Sequence, residues 1–127
     1  MNKIPLIISL VFSTTVFASG KTKSCILKDM KRLEMNLISS NVANVNTTST
    51  RKGGPYKRKD LVCNARGECE ISESKIITIK YMPNHPDAHA TGYVAFPAVD
   101  VDIEMEKLIA VHQDYERLEK ECFGHYR

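Results

Sequence analysis

The sequence predicts an α+β domain: an antiparallel, coiled-coil-like pair of terminal helices with a small antiparallel β element and a long loop between them. Three observations carry that prediction. Apolar residues recur at helical spacing toward each end of the chain, over two stretches of nearly equal length. A run of β-branched and aromatic residues lies between them, punctuated by Gly and Pro. Gly53-Gly54-Pro55 on one side and Pro83, Pro86, Gly92 and Pro97 on the other separate that run from the two helical stretches.

Residues 1–18 read as a cleavable secretory signal. Lys3 gives a positive start, residues 4–16 are mostly apolar and uncharged, and Val16 and Ala18 suit a peptidase site after Ala18. The apolar run is too short to cross ~30 Å of hydrocarbon, so no permanent membrane span is expected after cleavage. The mature chain, residues 19–127, is expected to be a single domain with a small core. It keeps 17 Lys+Arg against 15 Asp+Glu, a near balance that gives no reason to expect nucleic acid. The charge is unevenly placed. Residues 21–62 hold ten basic and three acidic residues, whereas 100–121 hold eight acidic and three basic ones. The two regions are expected to meet, or to meet copies of the chain head to tail.

The first helix is expected over 24–46. Ile26, Met30, Leu33 and Leu37 form its stripe, and Ile38, Val42 and Val45 continue it on a drifting face. Lys28, Lys31, Arg32 and Glu34 occupy much of the other side. Residues 49–55 form a loop, with Gly53, Gly54 and Pro55 as breakers. Arg51, Lys52, Lys57, Arg58 and Lys59 gather around it as a solvated basic cluster. The β element spans 56–81. It comprises a strand over 56–63, a turn at 64–68, a second strand from Cys69, and the clearest strand over 75–81. A loop is expected from Asn84 to about Asp100, marked by Pro86, Gly92 and Pro97.

The second helix is expected over 101–122. Leu108, Val111, Tyr115, Leu118 and Cys122 form its stripe, which Val101 and Met105 extend upstream. Asp100, Asp102, Glu104 and Glu106 crowd its positive end, and Gly124 suits a stop. Each helix buries its stripe most simply against the other in an antiparallel pair. An even cysteine count behind a signal reads as two disulfides, with three connectivities open. Antiparallel pairing selects Cys25–Cys122 and Cys63–Cys69, because it sets the start of the first helix beside the end of the second.

No catalytic constellation is present in the sequence: no nucleophile elbow, no phosphate-cradling Gly-rich loop, no His-Glu-x-x-His. His85 and His89 lie four apart, but Pro83 and Pro86 make a helix there unexpected, and the cysteines are better used as disulfides. The chain is therefore expected to have no catalytic, cofactor-binding or metal-ligating residues and to take no small-molecule substrate. His112 and Tyr115 are expected to be packing or boundary residues, and His125 lies near the terminus.

Two stretches carry a resemblance. Residues 36–48 read NLISSNVANVNTT, and 53–62 read GGPYKRKDLV. Residues 83–97 read PNHPDAHATGYVAFP, followed by VDVDIEMEKLIAVHQDYE in the second helix. Their content and order over most of 33–118 resemble the FlgC-type flagellar basal-body rod proteins. The resemblance implies paired terminal helices that pack with neighbouring subunits into a rod, in the periplasm, with no cofactor and no catalysis. The implied partners are other rod or basal-body proteins, or further copies of the chain. The family motif falls on Asn41, Ala43, Asn44, Asn46 and Thr47 at the end of the first helix. It falls again on Pro86, Ala88, Gly92, Tyr93 and Pro97 before the second. The Asn and Thr side chains are expected to satisfy backbone groups at the helix end. Gly92 is expected to permit a close turn, which Tyr93 anchors on the helices. The chain departs from the family pattern in its secretory signal, its cysteines, a second helix that stops early, and His89. A second reading stays open: a disulfide-stapled periplasmic adaptor or binding protein that keeps the rod-protein fold without polymerising.

Overall fold

A computed structural model describes residues 22–124. The signal-peptide reading of 1–18 and the position of His125 lie outside the described residues. The elements are α1 (Lys23–Ala43), β1 (Lys59–Cys63), β2 (Cys69–Glu73), β3 (Ile77–Tyr81), β4 (Tyr93–Pro97) and α2 (Val101–Gly124). The fold is α+β: two helices packed on each other and two separate two-stranded antiparallel sheets.

The helix pair is antiparallel. Ser24 reaches Glu121, Lys31 reaches Asp114, Arg32 reaches Tyr115 and Asn41 reaches Glu104. From Ser24 through Lys31 to Asn41, each advance along α1 is matched by an equal retreat along α2. Thr22 caps α1, its hydroxyl accepting from the Cys25 N–H at 3.4 Å. Asp100 caps α2, with Oδ1 accepting from the N–H groups of Asp102 and Ile103 at 3.0 and 3.2 Å. The first helix ends at Ala43, not 46. Asn44 takes the C-cap, and its Nδ2 donates to the Ser40 carbonyl at 2.9 Å, satisfying a group that the helix leaves open.

The face of α1 that meets α2 differs from the expected one. The seam uses Cys25, Lys28, Lys31, Arg32 and Asn41. The apolar stripe instead turns toward the first hairpin and solvent. Met30 Sδ lies 3.8 Å from Cys69 Sγ, Leu37 is buried, and Ile26 and Leu33 stay 45% and 39% exposed. Lys28 and Lys31 of the expected polar side thus turn toward α2, while Leu37 and Ile38 of the stripe stay buried and Arg32 stays exposed, because long basic side chains can bury their stems while their heads find partners. Lys28 is buried with Nζ over the Phe123 ring at 4.9 Å, and Lys31 bridges Glu34 and Asp114 at 3.0 and 3.6 Å. On α2 the buried positions are Glu104, Val111, Leu118 and Cys122. Val101 and Met105 do not extend that seam. Both are exposed, and Glu104 takes the inward position one heptad before Val111.

β1 and β2 pair from Lys59↔Glu73 to Cys63↔Cys69, and β1 packs on α1. Asn64 Oδ1 ties their turn by accepting from the Arg66 and Glu68 N–H groups. The second sheet corrects the expected loop of 84–100: Tyr93–Pro97 is a strand, pairing with β3 from Ile77↔Pro97 to Tyr81↔Tyr93. Its alternation is regular, with Val94 and Phe96 buried on one face and Tyr93 exposed on the other. Pro97 is tolerated because it is the strand's last residue.

Gly92 makes the return into β4 possible. Its φ is +83°, and a Cβ there meets Tyr81 Cε2 at 2.6 Å and Pro83 Cβ at 3.3 Å. Tyr81 and Tyr93 sit edge to face across the strands, with centroids 5.2 Å apart. Gly92→Ala is expected to lower the unfolding free energy by about 1–2 kcal/mol, from the left-handed backbone and the displaced Tyr81 ring. Urea denaturation of the two proteins checks it, and an unchanged midpoint contradicts it.

Candidate functional site

The motif residues at the end of α1 surround one carboxamide. Asn41 is 0% exposed, in the last turn of α1. Its Oδ1 accepts from the Lys59 N–H at 2.9 Å and from the Tyr56 hydroxyl at 2.9 Å. Its Nδ2 donates to the Lys59 carbonyl at 2.9 Å and to Glu104 Oε2 at 3.1 Å. All four capacities of the amide are filled. Only this orientation serves the set, since a flipped amide turns its donor onto the Lys59 N–H and its acceptor onto two acceptors.

Asn41 therefore does for Lys59 what a neighbouring strand does, holding both its N–H and its C=O. Glu104, 1% exposed, has its second oxygen 3.2 Å from Lys107 Nζ. The Tyr56 hydroxyl gives its one proton to Asn41, so its 3.2 Å contact with Ser40 is donated by the serine. One side chain thus ties α1 to β1, to the 51–56 loop and to α2. Neither Glu104 nor Tyr56 was expected in this role from the sequence. The signal for Glu104 was its heptad spacing to Val111 and Leu118. A carboxylate in an apolar register masks that signal.

The remaining motif residues divide between shape and surface. Asn44 caps α1, and Thr47 links back to it through Oγ1 at 3.0 Å. Ala43 and Asn46 are exposed beside them. In the second group Gly92 and Pro97 are buried, Ala88 is half-buried and Pro86 is exposed. Tyr93 stands exposed on the outer face of the second sheet, against Tyr81. The turn is held by Thr48, whose hydroxyl donates to Asp87 Oδ2 at 2.6 Å, and by the Met82 N–H donating to the Gly92 carbonyl at 2.8 Å.

The cysteines fall into two pairs at disulfide distance. Cys25 and Cys122 have Cα atoms 4.9 Å apart at the open end of the helix pair, and Cys63 and Cys69 4.0 Å apart in the first hairpin. His85 packs edge-on against Phe96, and its Nδ1 accepts from the Asp87 N–H. His89 joins the turn through its backbone, and His112 is exposed, 3.9 Å from Glu116. Tyr115 bridges the helices, accepting from Arg32 at 2.8 Å. That bond is the main cause holding the guanidinium pKa above its ordinary value. Among the described residues no three His, Cys, Asp or Glu side chains are grouped to hold a metal ion. No described helix is long and apolar enough to cross a membrane.

Large apolar side chains stay in water on both sheets and both helices, among them Ile77, Ile79, Tyr81 and Tyr93 on the second sheet, Val62 and Ile71 on the first, Met105 and Ile109 on α2, and Ile26 and Leu33 on α1.

No family model matches the chain. Curated proteins do. It is 32% identical over 114 residues to the flagellar basal-body rod protein FlgC of Borreliella burgdorferi, covering 68% of this chain and 75% of that one. The same-named protein of Bacillus subtilis is 31% identical over 113 residues, covering 68% and 75%. That of Salmonella typhimurium is 31% identical over 104 residues, covering 73% and 76%.

Asn41→Ala is expected to cost roughly 3 kcal/mol or more, because it strips the Lys59 N–H and carbonyl of their side-chain partner and takes one hydrogen bond each from the Tyr56 hydroxyl and Glu104 Oε2. Glu104→Gln is expected to cost under about 1 kcal/mol, since its amide oxygen still accepts from Asn41 and only a half-exposed lysine pair is lost. Equilibrium denaturation of both variants checks this ranking, and the reverse order contradicts it.

Proposed function

The chain belongs to the FlgC family of flagellar basal-body rod proteins, and on that premise we propose that it is a structural component or accessory of the rod, acting in motility by packing against neighbouring subunits. The observation that carries this reading is the set of apolar faces left open on elements whose polar groups are otherwise satisfied. Such faces suit burial by protein neighbours. The relatives carry the name of a structural part, and the proposed role asks for no catalysis and no cofactor.

Ala43, Asn46 and Pro86 are the motif residues we assign to contact with a neighbour, since all three are exposed. Asn41, Asn44, Thr47, Gly92 and Pro97 shape the subunit. We infer that residues 1–18 direct the chain through the general secretory route and are removed, and that the periplasm oxidises both cysteine pairs. The larger covalent loop lies between Cys25 and Cys122, so that staple contributes more, by holding the free ends of α1 and α2 together.

Deleting the gene is expected to abolish or impair swimming, and the protein is expected to co-purify with basal bodies. Normal motility with intact basal bodies contradicts the rod reading and leaves the periplasmic adaptor. Replacing Cys25 and Cys122 together by Ser is expected to lower stability by roughly 3–5 kcal/mol, against about 2 kcal/mol for Cys63 and Cys69, following loop length. Urea titration reads both, and a non-reducing peptide map joining Cys25 to Cys63 overturns the pairing.

A further inference from the structure

We propose that a second copy of this chain sets the outward, acidic face of its α2 into the basic cleft beside the 51–57 loop, so that copies join through unlike surfaces. The proposal rests on the subunit-packing reading above and gives it a partner and a surface.

The chain is basic in its first half and acidic in its last. Part of that complementarity is used internally along the helix pair, where Lys31 meets Asp114 and Ser24 donates to Glu121. At the other end of the pair it is not used. Tyr56 and Glu104 both bond Asn41, so the basic loop and the start of α2 lie at that same end. Nearby charges pair locally: Lys52 with Glu73, Arg58 with Asp60 and Lys107 with Glu104. Arg51, Lys57, Asp102 and Glu106 enter no such pair among the described residues, and all four are exposed. One positive and one negative set are thus left open within one short region.

The two surfaces also differ in shape. The basic one is a cleft of about 280 Å³ lined by Arg51, Lys52, Lys57 and Lys59, with Glu73 as its one carboxylate and the Tyr56 ring 5.7 Å from Lys59 Nζ. The acidic one is convex. Asp102, Met105, Glu106 and Ile109 fall at helical spacing on one face of α2, away from the buried Glu104 and Val111. Met105 and Ile109, 44% and 59% exposed, supply apolar area between the carboxylates. Charges at such a rim steer the encounter and set its register, while the apolar side chains add buried area. A cleft meeting a ridge is a heterologous contact.

The test uses the mature chain with its disulfides intact and sedimentation velocity over a concentration series. Two variants are made: Asp102→Lys with Glu106→Lys, and Arg51→Glu with Lys57→Glu. All substituted side chains are exposed, and far-UV circular dichroism verifies that both variants fold. The wild type is expected to self-associate, more weakly as salt rises. Each variant alone is expected to lose about ten-fold or more in association constant. An equimolar mixture of the two is expected to associate again, because one variant then presents two basic surfaces and the other two acidic ones. A monomeric wild type overturns the proposal. So does a wild type whose association neither set of substitutions changes, or a mixture that stays dissociated. None of these outcomes touches the rod reading, which is decided by motility and basal-body fractionation.

Discussion

The four hydrogen bonds of the Asn41 carboxamide are the constraint on which the rest of the structure depends. They join the end of α1, the first residue of β1, the Tyr56 ring and the start of α2 at one buried point. A small domain has little apolar core to spend on fixing the relative placement of its parts. A fully satisfied polar group does that work differently. It adds modest net stability when made, and it penalises every arrangement that leaves its partners dry and unpaired. Slipping α1 by one residue removes Asn41 from Glu104 if α2 stays in place, and from Lys59 if β1 does. The register of the helix pair and the docking of the first hairpin are therefore set together.

Cys25 and Cys122 hold the opposite end. The helix pair is fixed by a polar clamp at one end and by a cysteine pair at the other, with Lys31, Arg32 and Tyr115 bridging between. Stability invested at these points leaves much apolar surface free. Ile77, Ile79 and Tyr81 on β3 and Met105 and Ile109 on α2 face water rather than a core. In a solitary protein such faces are a liability, whereas in an assembling subunit they are the contact area. This is the physical link between a small, clamped fold and membership in a rod-protein family.

The two helices, their antiparallel sense and the first hairpin could be read from spacing alone. The second helix was clearest, because Leu108, Val111, Tyr115, Leu118 and Cys122 keep one face over several turns. Two features were hidden for different reasons. Tyr93–Pro97 looked like loop because Gly92 and Pro97 bracket only five residues, too few for alternation to outweigh two breakers. The buried face of α1 was hidden because its most regular apolar stripe faces the hairpin, while Lys28, Lys31 and Arg32 form the seam. At the clamp the sequence marked Asn41 through its motif but not its partners. Tyr56 lies on another segment, and Glu104 reads as one more acid at a helix start.

A double-mutant cycle on Asn41 and Glu104, read by equilibrium denaturation, tests the clamp most directly. Asn41→Ala and Glu104→Ala are measured singly and together. A coupling energy of about 1–3 kcal/mol is expected between the two positions, because each single change removes the one hydrogen bond that the two side chains share. Effects that add to within about 0.5 kcal/mol mean that the two side chains do not share a bond that matters, and that contradicts the account.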